Sequence, residues 1–327
     1  MNTTTISNNS RLAARLPESI VHADHFDDIP TTLFEIRNFL PPDVFESLAE
    51  SFPTSDTQYR IHERGKKKFL QNTQQAFWDV LDSAPAWRRF YDEFYTSEVV
   101  GQLEKLAVPH MQYRVEEERK PWRLTQSWRR QPGPLGRISR SVYSTKLARG
   151  IRGAWAKVTS SSAVIHLLPK RRFTRVELGF EFSILNNGDA IPPHTDNVDK
   201  LLSLMIYFPT SEEQARAPLG TEFWRGRDGR LPQSQWDSGL LDTDESAEFY
   251  EHHEMYYQVP FQSNVLVGFI KSDISWHGLR PLELGPDEER RGLVINLYHR
   301  TPARRKKVHG FRAEKSFPQR FPADTNA

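Results

Sequence analysis

Apolar residues follow a helical spacing in the first third of the chain. In the stretch PPDVFESLAESF, Phe45, Leu48 and Phe52 recur on one helical face, directly after a short strand-like run, LFEI. A second stretch with helical spacing covers residues 71–107 and is broken near Pro85. The pattern therefore predicts a mainly helical N-terminal part.

From Val176 onward the pattern changes to short β-rich runs that are separated by turns. These runs are VELGFEFSIL, LLSLMIYFP, GTEFW, NVLVGFI and GLVINLYH. Several such strands without regular intervening helices are typical of an antiparallel sandwich or barrel.

Composition narrows the chemistry that this core can carry. The 327 residues include no cysteine, which excludes disulfides, thiolate nucleophiles, zinc fingers and iron–sulfur clusters. A metal site in this chain must therefore use His, Asp or Glu. The polar N-terminal sequence lacks the apolar segment of a secretory signal, and no apolar run approaches the ~18 residues of a membrane span. We therefore expect a soluble, cytoplasmic protein with no membrane partner.

Charge is distributed unevenly along the chain. The net charge is +2, yet residues 119–175 contain fifteen Lys or Arg and no Asp or Glu. This basic tract has two interpretations: it lies near a site for an anionic substrate, or it binds nucleic acid through phosphate contacts, with Trp122, Trp128 and Trp155 available for stacking. No recognisable nucleic-acid-binding motif accompanies it, which favours the first interpretation.

The stretch GDAIPPHTD contains a candidate metal-binding pair. His194 and Asp196 are two positions apart on an extended segment, so both side chains project from the same side. A third ligand can come from His277, which follows the apolar run NVLVGFI. Two imidazoles and one carboxylate form the facial triad of non-haem Fe(II) oxygenases. Taken singly, the pair also fits a surface turn, and His277 fits a core histidine beside Trp276.

The surroundings of these residues resemble the Fe(II)/2-oxoglutarate-dependent oxygenases, including the prolyl-hydroxylase-like members. The resemblance covers residues 29–54 and 176–300 and consists, in order along the chain, of LFEIRNFLPPDVFESLAESFP, FSILNNGDAIPPHTD, LLSLMIYFP, LGTEFW, NVLVGFIKSDISWHGLRPL and RRGLVINLYH. It implies a mainly β fold with flanking helices: a double-stranded β-helix (jelly-roll or cupin-like) core on which N-terminal helices pack. It also implies that His194, Asp196 and His277 bind Fe(II), with 2-oxoglutarate and O2 as co-substrates.

The resemblance further implies a basic residue that binds the distal carboxylate of 2-oxoglutarate. Arg290 is favoured because Arg290-Arg291-Gly292-Leu293 resembles the family's Arg-x-Ser followed by an aliphatic residue; Arg291 is the alternative, because the sequence does not fix strand parity. Asn186 is a further candidate for co-substrate contact, with a turn or core role as its alternative. Halogenating relatives have a small residue in place of the carboxylate, so Asp196 favours oxygen insertion.

The same resemblance suggests a domain organisation. We expect a disordered tail over 1–28, one oxygenase domain over 29–305, with a helical part (29–118), the basic insertion (119–175) and a β-helix core (176–300), and a C-terminal tail over 306–327. Residues 119–175 and 211–258 are expected to shape the substrate pocket.

The predicted function is that of a dioxygenase that hydroxylates an unactivated C–H bond of a small molecule, such as a natural-product or glycan intermediate, and releases succinate and CO2. The basic insertion suggests that the substrate is anionic. Two alternatives remain at this stage. The first is a protein or peptide side-chain hydroxylase, which the prolyl-hydroxylase-like segment FLPPDVFESL permits; the second is a non-catalytic β-helix module that binds nucleic acid through the basic tract.

Overall fold

The structure is a computed structural model that describes residues 15–16, 33–53, 59–107, 122–124, 174–196, 200–227, 240–271 and 275–300. The predicted tails, 1–28 and 306–327, lie outside the described residues except for 15–16. The basic insertion, 119–175, also lies outside them except for 122–124 and 174–175.

The described chain forms strands throughout and helices mainly before residue 108. The strands are β1 (Leu33–Arg37), β2 (Arg60–Ile61), β3 (Lys68–Gln71), β4 (Trp122–Leu124), β5 (Thr174–Leu185), β6 (Ile191–His194), β7 (Lys200–Tyr207), β8 (Glu222–Gly226), β9 (His253–Gln258), β10 (Val265–Ile270), β11 (His277–Leu279) and β12 (Arg290–Arg300). The helices are α1 (Pro42–Glu50), α2 (Gln75–Ser83), α3 (Pro85–Phe94), α4 (Ser97–Ala107), α5 (Glu212–Arg216) and α6 (Thr243–His252). Within the described ranges no helix is long and apolar enough to cross a membrane.

The strands pair into two sheets with the topology of a jelly roll. One sheet has the order β1-β10-β7-β12-β5-β3-β2, with β4 paired in parallel to β5, and the other has the order β6-β11-β8-β9. The core of the jelly roll consists of two facing groups of four strands, β5-β12-β7-β10 and β6-β11-β8-β9. This is the arrangement of a double-stranded β-helix. The predicted fold class is therefore confirmed.

Alternation along β5 divides the larger sheet into an outer and an inner face. Phe180, Phe182 and Ile184 belong to the core cluster on the helical side. The intervening residues Glu181 and Ser183 line a cavity on the other side. Because successive side chains of a strand point to opposite faces, one strand builds both the structural core and the cavity wall.

Aromatic side chains fix the helices against the outer face. The Trp87 ring of α3 meets Phe182 edge-on at 4.6 Å between centroids, and Tyr91 lies 4.7 Å from Phe180. Each buried aromatic of this kind contributes about 1.5–3 kcal/mol. The predicted helical break is found where α2 ends at Ser83 and α3 begins at Pro85. The layer leaves the inner face of the sheet free for a site.

Candidate metal centre

Two facing strands bring the candidate histidines together. His194 is the last residue of β6 and His277 is the first of β11, and the two are direct partners in the antiparallel pairing. Their ring centroids are 4.3 Å apart. Strand pairing, rather than sequence proximity, therefore joins the two imidazoles.

Asp196 reaches the histidines by a route that differs from the one the sequence suggested. It lies beyond the end of β6, with a φ of 67°, in the left-handed region that Asp and Asn tolerate better than most residues. We expected the side chains of His194 and Asp196 to point the same way because they alternate along one strand. The strand ends before Asp196, so this reason does not apply. A turn directs the carboxylate back toward both rings.

The three side chains form a compact group of metal-ligating atoms. His194 Nε2 lies 3.5 Å from Asp196 Oδ1, and His277 Nε2 lies 3.4 Å from Asp196 Oδ2. One ligand atom from each residue lies within 4.8 Å of the others, a separation that one ion can span. Asp196 and His277 are buried, and His194 is partly exposed to the cavity.

Backbone carbonyls orient both imidazoles. The Nδ1 atoms lie 2.9 Å from the Pro192 carbonyl oxygen in His194 and 2.8 Å from the Ser275 carbonyl oxygen in His277. A carbonyl can only accept, so each Nδ1 donates to its carbonyl and Nε2 is the ring atom that faces the candidate metal position. This is the usual support for a metal-bound histidine.

The protonation states also suit metal binding. Burial, reinforced by the neighbouring His194, lowers the pKa of His277 to about 3, so that its ring is neutral at ordinary pH. Burial alone would raise the pKa of Asp196, but the Lys200 ammonium and the two histidines hold it well below its usual range. Asp196 Oδ2 is buried and has no hydrogen-bond partner in the described part of the chain. A bound cation would satisfy this oxygen, because an unpartnered buried acceptor is costly.

The candidate ligands line a cavity of about 520 Å³ inside the jelly roll. Its wall combines apolar side chains such as Met205 and Phe269 with charged ones, and Arg290 belongs to the same wall. Sites for small molecules typically have this size and this mixture.

Arg290 is a buried cation without an acidic partner. Its residue is 2% exposed, its Nε donates to the Leu219 carbonyl oxygen, and its guanidinium carbon lies 4.9 Å from the Tyr207 ring centroid. Burial lowers its pKa. No carboxylate of the described residues pairs with it. Since a buried, unpaired charge is strongly unfavourable, this position is suited to an anionic ligand.

The other two candidates for co-substrate contact lie elsewhere. Arg291 points to the opposite face of β12, where it pairs with Glu289 at 3.1 Å and lies 6.0 Å from the Phe52 ring centroid. Asn186 lies in the turn after β5, where its backbone N–H donates to Asp189 Oδ2 at 2.7 Å. Neither belongs to the described cavity wall.

Several cavity residues were missed or left undecided at the sequence level. Glu181 and Ser183 alternate with large apolar residues in VELGFEFSIL. This alternation could have indicated that one face of the strand is polar and lines a cavity. Tyr207 and Thr221 also line the cavity and share a 2.8 Å hydrogen bond. Lys200, beside the candidate ligands, carried no sequence signal.

Comparison with known proteins finds similarity at the level of structure. No protein-family model matches the sequence, and no curated protein matches it. A Pseudomonas putida prolyl-4-hydroxylase has a TM-score of 0.35 at 13% identity, covering 88% of this chain and 99% of its own. The epimerase SnoN, in complex with Fe3+, alpha-ketoglutarate and nogalamycin RO, has a TM-score of 0.43 at 11% identity, with 90% and 86% covered. HygX from Streptomyces hygroscopicus, with nickel, 2-oxoglutarate and hygromycin B bound, has a TM-score of 0.38 at 9% identity, with 84% of each chain covered.

Proposed function

We propose that this protein is an Fe(II)- and 2-oxoglutarate-dependent dioxygenase that hydroxylates a C–H bond of a small molecule. The observation that carries the proposal is that one jelly-roll cavity contains both the His194, Asp196 and His277 group and the buried guanidinium of Arg290. This guanidinium has no acidic partner among the described residues. The first provides a metal site, and the second provides a site for a carboxylate.

The ligand set fits a divalent iron. Two imidazole nitrogens and one carboxylate oxygen, without any thiolate, suit non-haem Fe(II) and leave coordination positions open. The unpartnered Oδ2 of Asp196 supports the same assignment. His194, Asp196 and His277 would hold the ion, and the Pro192 and Ser275 carbonyls would fix the ring orientations.

Arg290 would bind the distal carboxylate of 2-oxoglutarate. Its guanidinium offers a planar fork that matches a carboxylate, and its burial strengthens that contact. Gly292 stands where many relatives have a serine, so the chain supplies no second side-chain contact at that position. When bound, the iron and 2-oxoglutarate supply O2 activation, with one oxygen atom entering succinate, CO2 leaving, and the other oxygen atom entering the substrate as a hydroxyl.

The chain's own contribution is positioning and exclusion of water. The cavity of about 520 Å³ holds a small molecule beside the three ligands, and residues such as Met205 and Phe269 provide apolar walls. Strands β6 and β11 position the two histidines and the turn after β6 positions Asp196, which would fix the metal relative to the cavity wall. A cavity of this size, with apolar and charged walls, supports a small-molecule substrate.

Anaerobic titration with Fe(II) and 2-oxoglutarate tests the proposal. We expect the weak visible charge-transfer band of the chelate in the wild type and in His252→Ala, which changes an exposed histidine at the end of α6. The band should be absent from His194→Ala. A folded wild type that gives no band would contradict the proposal and favour a non-catalytic binding module. If the band forms, candidate substrates can be screened by succinate release, and intact-protein mass spectrometry of candidate partners would detect a peptide substrate.

A further inference from the structure

We propose that Lys200 forms a subsite, beside the metal centre, for a carboxylate or phosphate group of the primary substrate. The inference deepens the proposed function and rests on it. It assigns the substrate to the class of small organic anions from residues of the cavity wall, independently of the basic insertion.

Lys200 is a largely shielded cation with unused hydrogen-bond donors. It begins β7, its side chain is 12% exposed, and its Nζ lies 2.6 Å from Asp196 Oδ1. Within the described chain Asp196 is its one hydrogen-bond partner. An ammonium group has three N–H donors, so two remain for a ligand in the cavity.

The acidic residues of the cavity wall are already occupied. In the described wall these are Glu181 and Asp196. Glu181 accepts from Lys67 at one oxygen and from Gln71 at the other, the latter at 2.6 Å. Asp196 accepts from Lys200 at Oδ1 and turns Oδ2 toward His277 and the candidate metal position. Once a metal ion binds at Asp196 Oδ2, every carboxylate oxygen of the described wall has a partner, so the wall offers none to a cationic substrate.

The charge balance of the loaded cavity also favours an anion. The described wall carries the cations Arg64, Lys67, Lys200 and Arg290 against the anions Glu181 and Asp196. A divalent metal and the 2-oxoglutarate dianion cancel each other, so the positive excess remains after both bind. Arg64 is exposed, where solvent screens its charge, whereas the side chain of Lys200 is 12% exposed and is screened less.

A second hydrogen-bond donor, the side-chain amide of Asn296, lies on the strand that pairs with the beginning of β7. Asn296 accepts from Ser203 Oγ at 2.9 Å through Oδ1, and its side-chain amide N–H groups have no partner within the described ranges. Asn296 is two residues before Tyr298, which is the direct strand partner of Lys200. An anionic group of a substrate can thus meet an ammonium and an amide donor on adjacent strands.

Paramagnetic 19F NMR can locate such an anion. The holoprotein is prepared with Co(II) in place of Fe(II) and with N-oxalylglycine in place of 2-oxoglutarate, and binding of both is checked by the visible spectrum. Trifluoroacetate, trifluoromethylphosphonate and 4,4,4-trifluorobutylammonium, whose longer spacer keeps the amine protonated at neutral pH, are then titrated separately. We expect saturable relaxation enhancement by Co(II) for at least one anion and none for the cation; the anion that responds distinguishes a carboxylate from a phosphate subsite.

Variants separate Lys200 from general charge effects. Lys200→Met should weaken anion binding at least about tenfold, as expected for loss of a charged hydrogen bond, whereas Lys200→Arg should retain it. Lys105→Met removes the same charge from an exposed site on α4 and should leave binding unchanged. Equal anion affinity in wild type and Lys200→Met, or a response to the cation alone, would overturn the inference. Failure to bind Co(II) or N-oxalylglycine is seen before any probe is added and would contradict the proposed function itself.

Discussion

Arg290 and Arg291 illustrate what sequence can and cannot decide at the scale of a residue. The two are adjacent and chemically identical, yet one lines the cavity and the other packs beside Phe52 on the helical side. Residue type and spacing selected both, and they also selected His194, Asp196 and His277. Parity could not be chosen, because it depends on the pairing of β12 with β5 and β7, whose partners are distant in sequence.

Exchanging each arginine for methionine tests this assignment. Arg290→Met should raise the 2-oxoglutarate concentration needed for half-maximal succinate production by roughly ten- to a hundredfold, because a bidentate, charge-assisted contact is lost. Arg291→Met should change it little, since its guanidinium pairs with Glu289 outside the cavity. The KM for 2-oxoglutarate is the measurement. A larger effect at Arg291 would show that the distal carboxylate binds elsewhere.

At the scale of elements, local pattern predicted the N-terminal helices and the strands with a β-rich run, but not α5, α6 or short strands such as β2, β3 and β6. The stretch RIHERGKKKFLQ has no clear alternation, and its strands, β2 and β3, form because β3 pairs with β5. β6 contains two prolines, which normally argue against a strand. It is accommodated at an edge of the four-stranded sheet, where missing N–H donors cost least. Tertiary pairing decides these elements.

Gly278 controls how closely β11 approaches β6. A Cβ at this position would lie 2.3 Å from the Ile191 carbonyl oxygen, a backbone atom that cannot move aside. Gly278→Ala should therefore separate the strands that carry His194 and His277. We expect a lower thermal midpoint and an affinity for Co(II) that is weaker by at least about tenfold. Gly101→Ala is the matched control, since nothing lies within 4 Å of its Cβ and alanine favours the helix. Calorimetry and Co(II) titration of both variants provide the measurements. Unchanged Co(II) affinity in Gly278→Ala would contradict the prediction, because it would show that the ligand geometry does not depend on the spacing of these strands.

At the scale of the whole molecule, the double-stranded β-helix could be predicted because its strands appear as separate β-rich runs in a recognisable order. The cavity's charges could not, because Lys67 precedes β3, Glu181 lies in β5 and Lys200 begins β7, and the three meet only in the folded sheet. The candidate metal ligands join β6 to β11 across a long stretch of chain. Binding of an ion should therefore act on global stability as well as on chemistry.

Metal addition provides a test at this scale. A ligand that binds the folded state alone stabilises it by about 2.7 kcal/mol at one hundred times its dissociation constant. We expect Mn(II) or Co(II) to raise the thermal midpoint of the wild type reversibly, with EDTA restoring the original value. His194→Ala should show no such increase. A rise of equal size in His194→Ala would place the stabilising ion outside the candidate centre.

The two-faced construction of β5 has a consequence for how the chain can change over time. Phe180 and Phe182 support the helices while Glu181 and Ser183 face the cavity, so each strand position has a fixed partner on one side. Insertion or deletion of a single residue within this strand would exchange the two sets, placing aromatics in the cavity and a carboxylate in the core. New substrate preferences can therefore arise by substitution at alternate positions or by changes in loop length, whereas the lengths of the central strands are effectively frozen.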